Sequence, residues 1–79
     1  MAKLVFLGKL ADLAGVSERE VAGPLDWAGL LARLEPELAE AAKGAKVRVA
    51  VNGTLLADKG VLAAAPGDEI ALLPPVSGG

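Results

Sequence analysis

The 79-residue chain is rich in aliphatic side chains, contains neither cysteine nor histidine, and carries a formal charge of -2 from eight basic and ten acidic residues. This composition excludes disulfides, Cys/His zinc sites, thiol catalysis and histidine acid–base chemistry. The net charge of the chain does not indicate a basic surface for binding nucleic acid. The length is that of one domain, and the apolar start is too short for a signal peptide or a membrane span, so we expect a cytoplasmic protein.

The N-terminal third predicts two paired strands with a short helix between them. Residues 3–7 form an apolar, β-branched run that stops at Gly8, which indicates a first strand. Residues 9–13, which end near Gly15, predict a short helix or helical turn. Residues 17–21 alternate between charged and apolar side chains and predict an edge strand that pairs with the first.

The clearest helix begins at Asp26, a favourable N-cap residue. Pro36 costs about 3 kcal/mol inside a helix, so we expect a kink there or a second helix with Pro36 at its first position. Lys43-Gly44 is a typical helix end. Apolar residues at helical spacing define one face: Trp27, Leu30, Leu31, Leu34 and Leu38.

The second half predicts a hairpin and a final strand. Residues 46–52 alternate between apolar and polar side chains, which is typical of a strand, and Asn52-Gly53 favours a type I′ turn. Thr54 and Leu55 would form a brief return strand. A tight turn over residues 65–68 then leads into a last strand over residues 69–73.

The order strand, strand, helix, strand, short strand, strand is that of an α+β β-grasp (ubiquitin-like) fold. We expect a mixed sheet with one main helix across one face, because the apolar face of the helix must be buried. The predicted β-grasp domain covers residues 1–73, and residues 74–79 form an extended, mobile C-terminal tail that ends in Gly-Gly.

A single helix layer leaves the other face of the sheet uncovered. Alternation places Val5, Leu7, Ala71 and Leu73 on that face, and Leu55 adjoins them after the Asn52-Gly53 turn. Exposed apolar patches on small proteins usually mark a partner surface. The alternative is that strand twist or the short helix covers part of the patch.

The tail has the composition of a segment that enters another protein. Pro74 and Pro75 hold the chain extended and cannot donate to a sheet. Val76 and Ser77 carry it onward, and Gly78-Gly79 make its end thin enough for a channel too narrow for ordinary side chains. The alternative is a frayed terminus.

Several segments resemble the small subunit of molybdopterin synthase, a family of ubiquitin-like sulfur carriers. Leucine stands here at positions 7 and 73, where phenylalanine is common in the family, and Ala11 stands where an arginine often precedes the acidic residue. The matching segments span the chain: Val5-Phe6-Leu7-Gly8, Asp12-Leu13-Ala14-Gly15, Val51-Asn52-Gly53, Gly67-Asp68-Glu69-Ile70-Ala71 and Leu73-Pro74-Pro75-Val76-Ser77-Gly78-Gly79.

The resemblance implies a sulfur-donating subunit that is not an enzyme on its own and binds no cofactor or metal itself. An adenylating enzyme related to ubiquitin-activating enzymes would use ATP to activate the Gly79 carboxylate, and sulfur would then replace the adenylate to give a thiocarboxylate. The large synthase subunit would receive residues 74–79 and contact Leu7, Leu55 and Leu73, in an assembly of two large and two small subunits. The sulfur would build the molybdopterin dithiolene on cyclic pyranopterin monophosphate.

Three other functions remain open from the residues. The chain could carry sulfur for thiamine or tRNA thiolation, modify proteins by joining their lysines through Gly79, or act as a β-grasp interaction module without covalent chemistry.

No general base or oxyanion hole is indicated. Asp68 and Glu69 are adjacent acids whose side chains would point to opposite faces, so we interpret them as the start of a strand.

Overall fold

The computed structural model describes residues 1–74, so the predicted tail residues Pro75, Val76, Ser77, Gly78 and Gly79 lie outside the described residues. Within residues 1–74 no helix is long and apolar enough to cross a membrane. The elements in chain order are β1 (Ala2–Phe6), α1 (Lys9–Ala14), β2 (Glu18–Val21), β3 (Leu25–Asp26), α2 (Trp27–Ala32), α3 (Pro36–Ala42), β4 (Arg48–Val51), β5 (Thr54–Leu55), a 3₁₀ turn (Lys59–Val61), β6 (Ala63–Ala64) and β7 (Glu69–Leu73).

A five-stranded mixed sheet in the order β2-β1-β7-β4-β5 forms one layer and the helices form the other. The central strands β1 and β7 are parallel, and the remaining pairs are antiparallel. Leu4 pairs with Ile70 and Phe6 with Leu72 in the β1–β7 register, and all four side chains are buried beneath the helices. The predicted β-grasp fold is confirmed.

The predicted main helix is divided in two at Pro36. The Asp26 carboxylate caps α2 by accepting a hydrogen bond from the Gly29 amide at 2.7 Å. The helix ends at Arg33, and Pro36 becomes the first residue of α3, where its missing N–H leaves no bond unmade. The restart is one of the two outcomes that the sequence predicts.

A second, two-stranded sheet was not predicted from the sequence. Leu25 in β3 pairs with Ala64 in β6, and Asp26 pairs with Ala63. Two residues per strand are too few to show alternation, so no pattern could have revealed the pair.

The end of the sheet opposite the tail is fixed by one amide side chain. Asn52 adopts a positive φ of 50° in the hairpin turn, as the type I′ prediction requires. Its Nδ2 donates to Asp68 Oδ1 at 3.0 Å and its Oδ1 accepts from the Glu69 amide at 3.0 Å. The other carboxylate oxygen of Asp68 accepts from the Ala65 amide at 2.9 Å. Asp68 therefore has the structural role that we inferred for it.

The edge strand β2 is tied to the helix layer by Arg19. Its guanidinium makes two parallel bonds of 3.0 Å to the Glu35 carboxylate, donates to the Arg33 carbonyl at 3.1 Å, and lies 5.5 Å from the centre of the Phe6 ring. The hydrogen bond from Arg19 lowers the pKa of Glu35, and the hydrogen bond from Asn52 lowers the pKa of Asp68.

We expect these two carboxylates to make the protein less stable in acid. A carboxyl whose folded pKa is lowered contributes stability above its unfolded pKa, near 4, and that contribution is lost as the pH falls through the folded value. Urea unfolding should therefore give a free energy that decreases from about pH 5 downward. Glu35→Gln should flatten this decrease, whereas Glu37→Gln, two residues further on in α3 and outside the Arg19 ion pair, should not. An equal slope in wild type and Glu35→Gln would contradict the assignment.

Candidate functional site

An apolar row crosses four strands of the uncovered face of the sheet, and its members in β1 and β7 are those that alternation predicts. Val5 lies opposite Ala71 in the β1–β7 register, Ala71 lies opposite Ala50, and Ala50 lies opposite Leu55. Val5 and Ala71 are half-buried, Ala50 is buried, and Leu55 is 51% exposed at the edge. Because the side chains in the middle of this row are small, the surface of the face does not protrude there.

The two predicted contact residues nearest the tail lie side by side. Phe6 pairs with Leu72, so the next positions, Leu7 and Leu73, are neighbours at the end of β1 and β7. The Leu7 amide continues the ladder by donating to the Leu72 carbonyl at 3.3 Å. Leu7 is 41% exposed and Leu73 is half-buried. This pair forms the apolar end of the sheet from which the tail continues.

Leu55 belongs to the same face but not to this pair. It lies in β5, and strand β4 separates it from β7. With neighbouring strands about 4.8 Å apart, Leu55 stands roughly 10 Å across the sheet from the strand that carries Leu73. The structure therefore brings Leu7 and Leu73 together and sets Leu55 at the far edge.

Val16 also lies on this face, which its position in the sequence did not predict. Ser17 accepts a hydrogen bond from the Phe6 amide at 2.9 Å and continues the β1–β2 register, which places Val16 opposite Leu7. Val16 is 46% exposed. A second apolar row, nearer the tail, therefore contains Val16, Leu7 and Leu73. Alternation within β2 gave no signal for it, because Val16 precedes the strand.

The first tail residue, Pro74, rests against Gly8. A Cβ placed on Gly8 would come within 3.0 Å of Pro74 Cγ, and Gly8 adopts φ 56° and ψ -130°. A side chain disfavours that conformation strongly. Gly8 therefore does more than end β1: it lets the base of the tail lie flat against the turn before α1. The predicted boundary between domain and tail at residue 73 is thus bridged by a contact.

We expect Gly8→Ala to destabilise the fold by at least about 2 kcal/mol, from backbone strain together with the approach to Pro74. Gly67→Ala is the matched control, because Gly67 also has a positive φ but no atom within 4 Å of an added Cβ. It should cost about 1 kcal/mol. Chemical denaturation of both variants, repeated with Pro74→Ala, would separate strain from contact. A Gly8→Ala cost equal to that of Gly67→Ala would contradict the packing argument.

The start of β4, which pairs with the end of β7, is held by Lys59. Its ammonium donates to the carbonyls of Ala42 and Val47 at 3.0 and 3.1 Å and also to that of Gly44. Burial lowers the pKa of Lys59. These bonds satisfy carbonyls at the end of α3 and fix the entry to β4. No group of three or more potential metal-binding side chains occurs within residues 1–74.

Comparison with known proteins gives one family model, described as the ThiS family, which matches residues 4–79. The fold is also similar to solved structures. The crystal structure of SAMP1 from Haloferax volcanii is 27% identical, with a TM-score of 0.70 over 99% of this chain and 98% of that one. The solution structure of the HVO 2177 protein from the same organism is 26% identical, with a TM-score of 0.76 over 99% and 85% of the two chains.

A putative molybdopterin converting factor, subunit 1, from Pyrococcus furiosus shares the fold, with 24% identity and a TM-score of 0.71 over 95% of this chain and 97% of that one. No curated protein matches the sequence significantly. These findings confirm the resemblance to ubiquitin-like, β-grasp carriers at the level of family and fold.

Proposed function

The chain belongs to the ThiS family, and we propose that this ubiquitin-like carrier supplies sulfur for the molybdopterin dithiolene. The proposed reacting group is the carboxylate of Gly79. An adenylating enzyme would activate it with ATP, and the large subunit of molybdopterin synthase would receive residues 74–79 in its active site. In this scheme the carrier is a non-catalytic partner that binds no cofactor itself and works in the cytoplasm. It is the small subunit of an assembly of two large and two small subunits.

One observation carries this proposal: the strand that leads into the tail ends on an exposed apolar face. Leu73, the last residue of β7, lies beside the exposed Leu7, and Pro74 packs on Gly8. A partner that covers this apolar end of the sheet also takes hold of the base of the tail. The tail would then lose less conformational freedom on entering the partner than a chain without prolines, because the ring of each proline restricts the backbone φ angle before binding.

The chemistry follows from the reactivity of a carboxylate. A carboxylate resists nucleophiles at neutral pH, so its oxygen must first become a leaving group. Attack of the Gly79 carboxylate on the α-phosphate of ATP forms an acyl-adenylate and releases pyrophosphate. Hydrosulfide then attacks the acyl carbon, AMP leaves, and a thiocarboxylate remains. If a persulfide attacks instead, the product is an acyl disulfide, and a thiol must reduce its S–S bond, with formation of a new disulfide, to release the thiocarboxylate. A glycine at this position leaves the carbonyl open to attack.

A protein modifier is the second candidate function, and the similarity to SAMP1 favours it. The same adenylate would serve, but a lysine amine of the target would displace AMP and form an amide bond with Gly79. Conjugates that contain a Gly79–lysine linkage in a cell lysate would support this function. Sulfur transfer to thiamine or tRNA precursors uses the same loaded terminus and differs only in the acceptor.

Reconstitution tests the proposal. The carrier is mixed with ATP, an adenylating enzyme, a sulfur donor and the large synthase subunit, and its intact mass is followed together with dithiolene formation. We expect the mass to rise by the difference between sulfur and oxygen and to return as product accumulates. A carrier that never gains sulfur would overturn the sulfur-carrier function, and a loaded carrier that forms no dithiolene would point to another acceptor.

A further inference from the structure

Half of the basic side chains that lack a partner in the described part of the chain lie at one end of the sheet. Four of the eight basic residues are engaged within residues 1–74: Lys3, Arg19 and Lys43 in ion pairs, and Lys59 on three carbonyl oxygens. The side chains of the other four have neither an ion pair nor a hydrogen bond in the described part of the chain: Lys9, Arg33, Lys46 and Arg48.

Two of these four stand at the base of the tail. Arg48 is the register partner of Leu73, and Lys46 comes two residues before it; both are exposed. Because β4 runs antiparallel to β7, the residues that precede Arg48 lie past the end of β7, on the side where the tail begins. Their charges therefore flank the apolar end of the sheet formed by Leu7 and Leu73.

One acid lies near this charge but forms no ion pair with it in the described residues. Asp58 lines the same surface depression as Arg48, and its carboxylate accepts a hydrogen bond from the Gly60 amide at 2.8 Å. The other two free cations differ. Lys9 follows Gly8, on which Pro74 packs, but it lies in the first turn of α1 together with Asp12 rather than on the sheet. Arg33 lies at the end of α2 in the helix layer.

We propose that Lys46 and Arg48 form a cationic rim that pairs with carboxylates at the mouth of the adenylating enzyme's channel. The inference rests on the proposed function, because a carrier whose terminus enters another protein must be oriented at its tail. The chain has a net charge of -2 and reacts through a carboxylate, and the enzyme holds ATP, which is also anionic. A local positive rim turns the correct end of an anionic protein toward an acidic mouth and raises the association rate.

The arginine suits this role for a further reason. Its planar guanidinium can bind a carboxylate through two parallel hydrogen bonds, which fixes orientation as well as adding attraction. Arg48 lies directly beside Leu73, so such a bond would set the direction in which β7 points into the partner. The apolar pair would supply contact area and the rim would supply orientation.

The test measures association of the full chain with the adenylating enzyme from the same genome, in the presence of ATP, by stopped flow at about 20 and 300 mM salt. We expect Lys46→Glu/Arg48→Glu to lower the association rate about tenfold or more at low salt, and the loss to shrink to less than about threefold at high salt. Arg33→Glu is the control: it makes the same charge change per substituted residue, half that of the double variant, on the helix layer, and it should stay within about twofold of wild type.

Two results would overturn the rim: a loss below twofold in the double variant, or an equal loss per charge in Arg33→Glu. Thermal unfolding of each variant confirms that the exposed substitutions leave the fold intact. Sulfur loading of the wild-type chain is followed in parallel by intact mass. If the wild type never gains sulfur, the proposed function fails; if it loads normally while the double variant associates at the wild-type rate, only the rim fails.

Discussion

Deletion of Gly79 is expected to abolish sulfur transfer while leaving the stability of the protein unchanged. The deletion moves the terminal carboxylate back by one residue, about 3.5 Å of extended chain. Misplacement of a reacting group by 1 Å can already cost about 100-fold in rate, so the Gly78 carboxylate of the shortened chain should not reach the α-phosphate of ATP. Intact mass after incubation with ATP, adenylating enzyme and sulfur donor measures the effect directly.

The control for this deletion is Ser77→Ala, which alters the tail but keeps its length and its terminal glycine. It should be loaded at nearly the wild-type rate. Both variants should unfold at the wild-type denaturant concentration, because the buried core residues found within residues 1–74 all lie between Ala2 and Leu72. A chain without Gly79 that still supports dithiolene formation would contradict the role given to the terminus.

The course of the main chain was predictable because each part of it depends on local chemistry. Asn52-Gly53 accepts the positive φ values of its turn, Asp26 caps α2, and Pro36 begins α3. Alternation in β1 and β7 also separated the buried from the uncovered face correctly. These signals come from neighbours in sequence, so they need no knowledge of tertiary contacts.

The features that escaped prediction depend on residues distant in sequence. Val16 joins the apolar row only because the β1–β2 register extends past β2. The contact between Gly8 and Pro74 spans nearly the whole chain. The ion pair from Arg19 to Glu35 requires the edge strand to lie against the junction of α2 and α3. The tail itself was assigned from composition and resemblance, and its last five residues lie outside the described part of the structure.

The second large effect is expected at the apolar end of the sheet. Leu7→Glu and Leu73→Glu each place a charge where the partner should cover an apolar side chain, and an unpaired buried charge is costly. We expect each substitution to weaken binding to the large subunit by at least about 100-fold, or roughly 2.7 kcal/mol. Titration calorimetry with the purified large subunit measures this loss.

The loss of affinity for the large subunit is expected to depend on where the substituted residue lies on the uncovered face of the sheet. Leu55→Glu should weaken binding by no more than about tenfold, because rim positions contribute less than the centre of an interface. Val61→Glu makes the same charge change at a 66% exposed site on the 3₁₀ turn and should leave the affinity within about twofold of wild type. Equal losses at Leu7 and Val61 would show that net charge, rather than the apolar end of the sheet, governs binding.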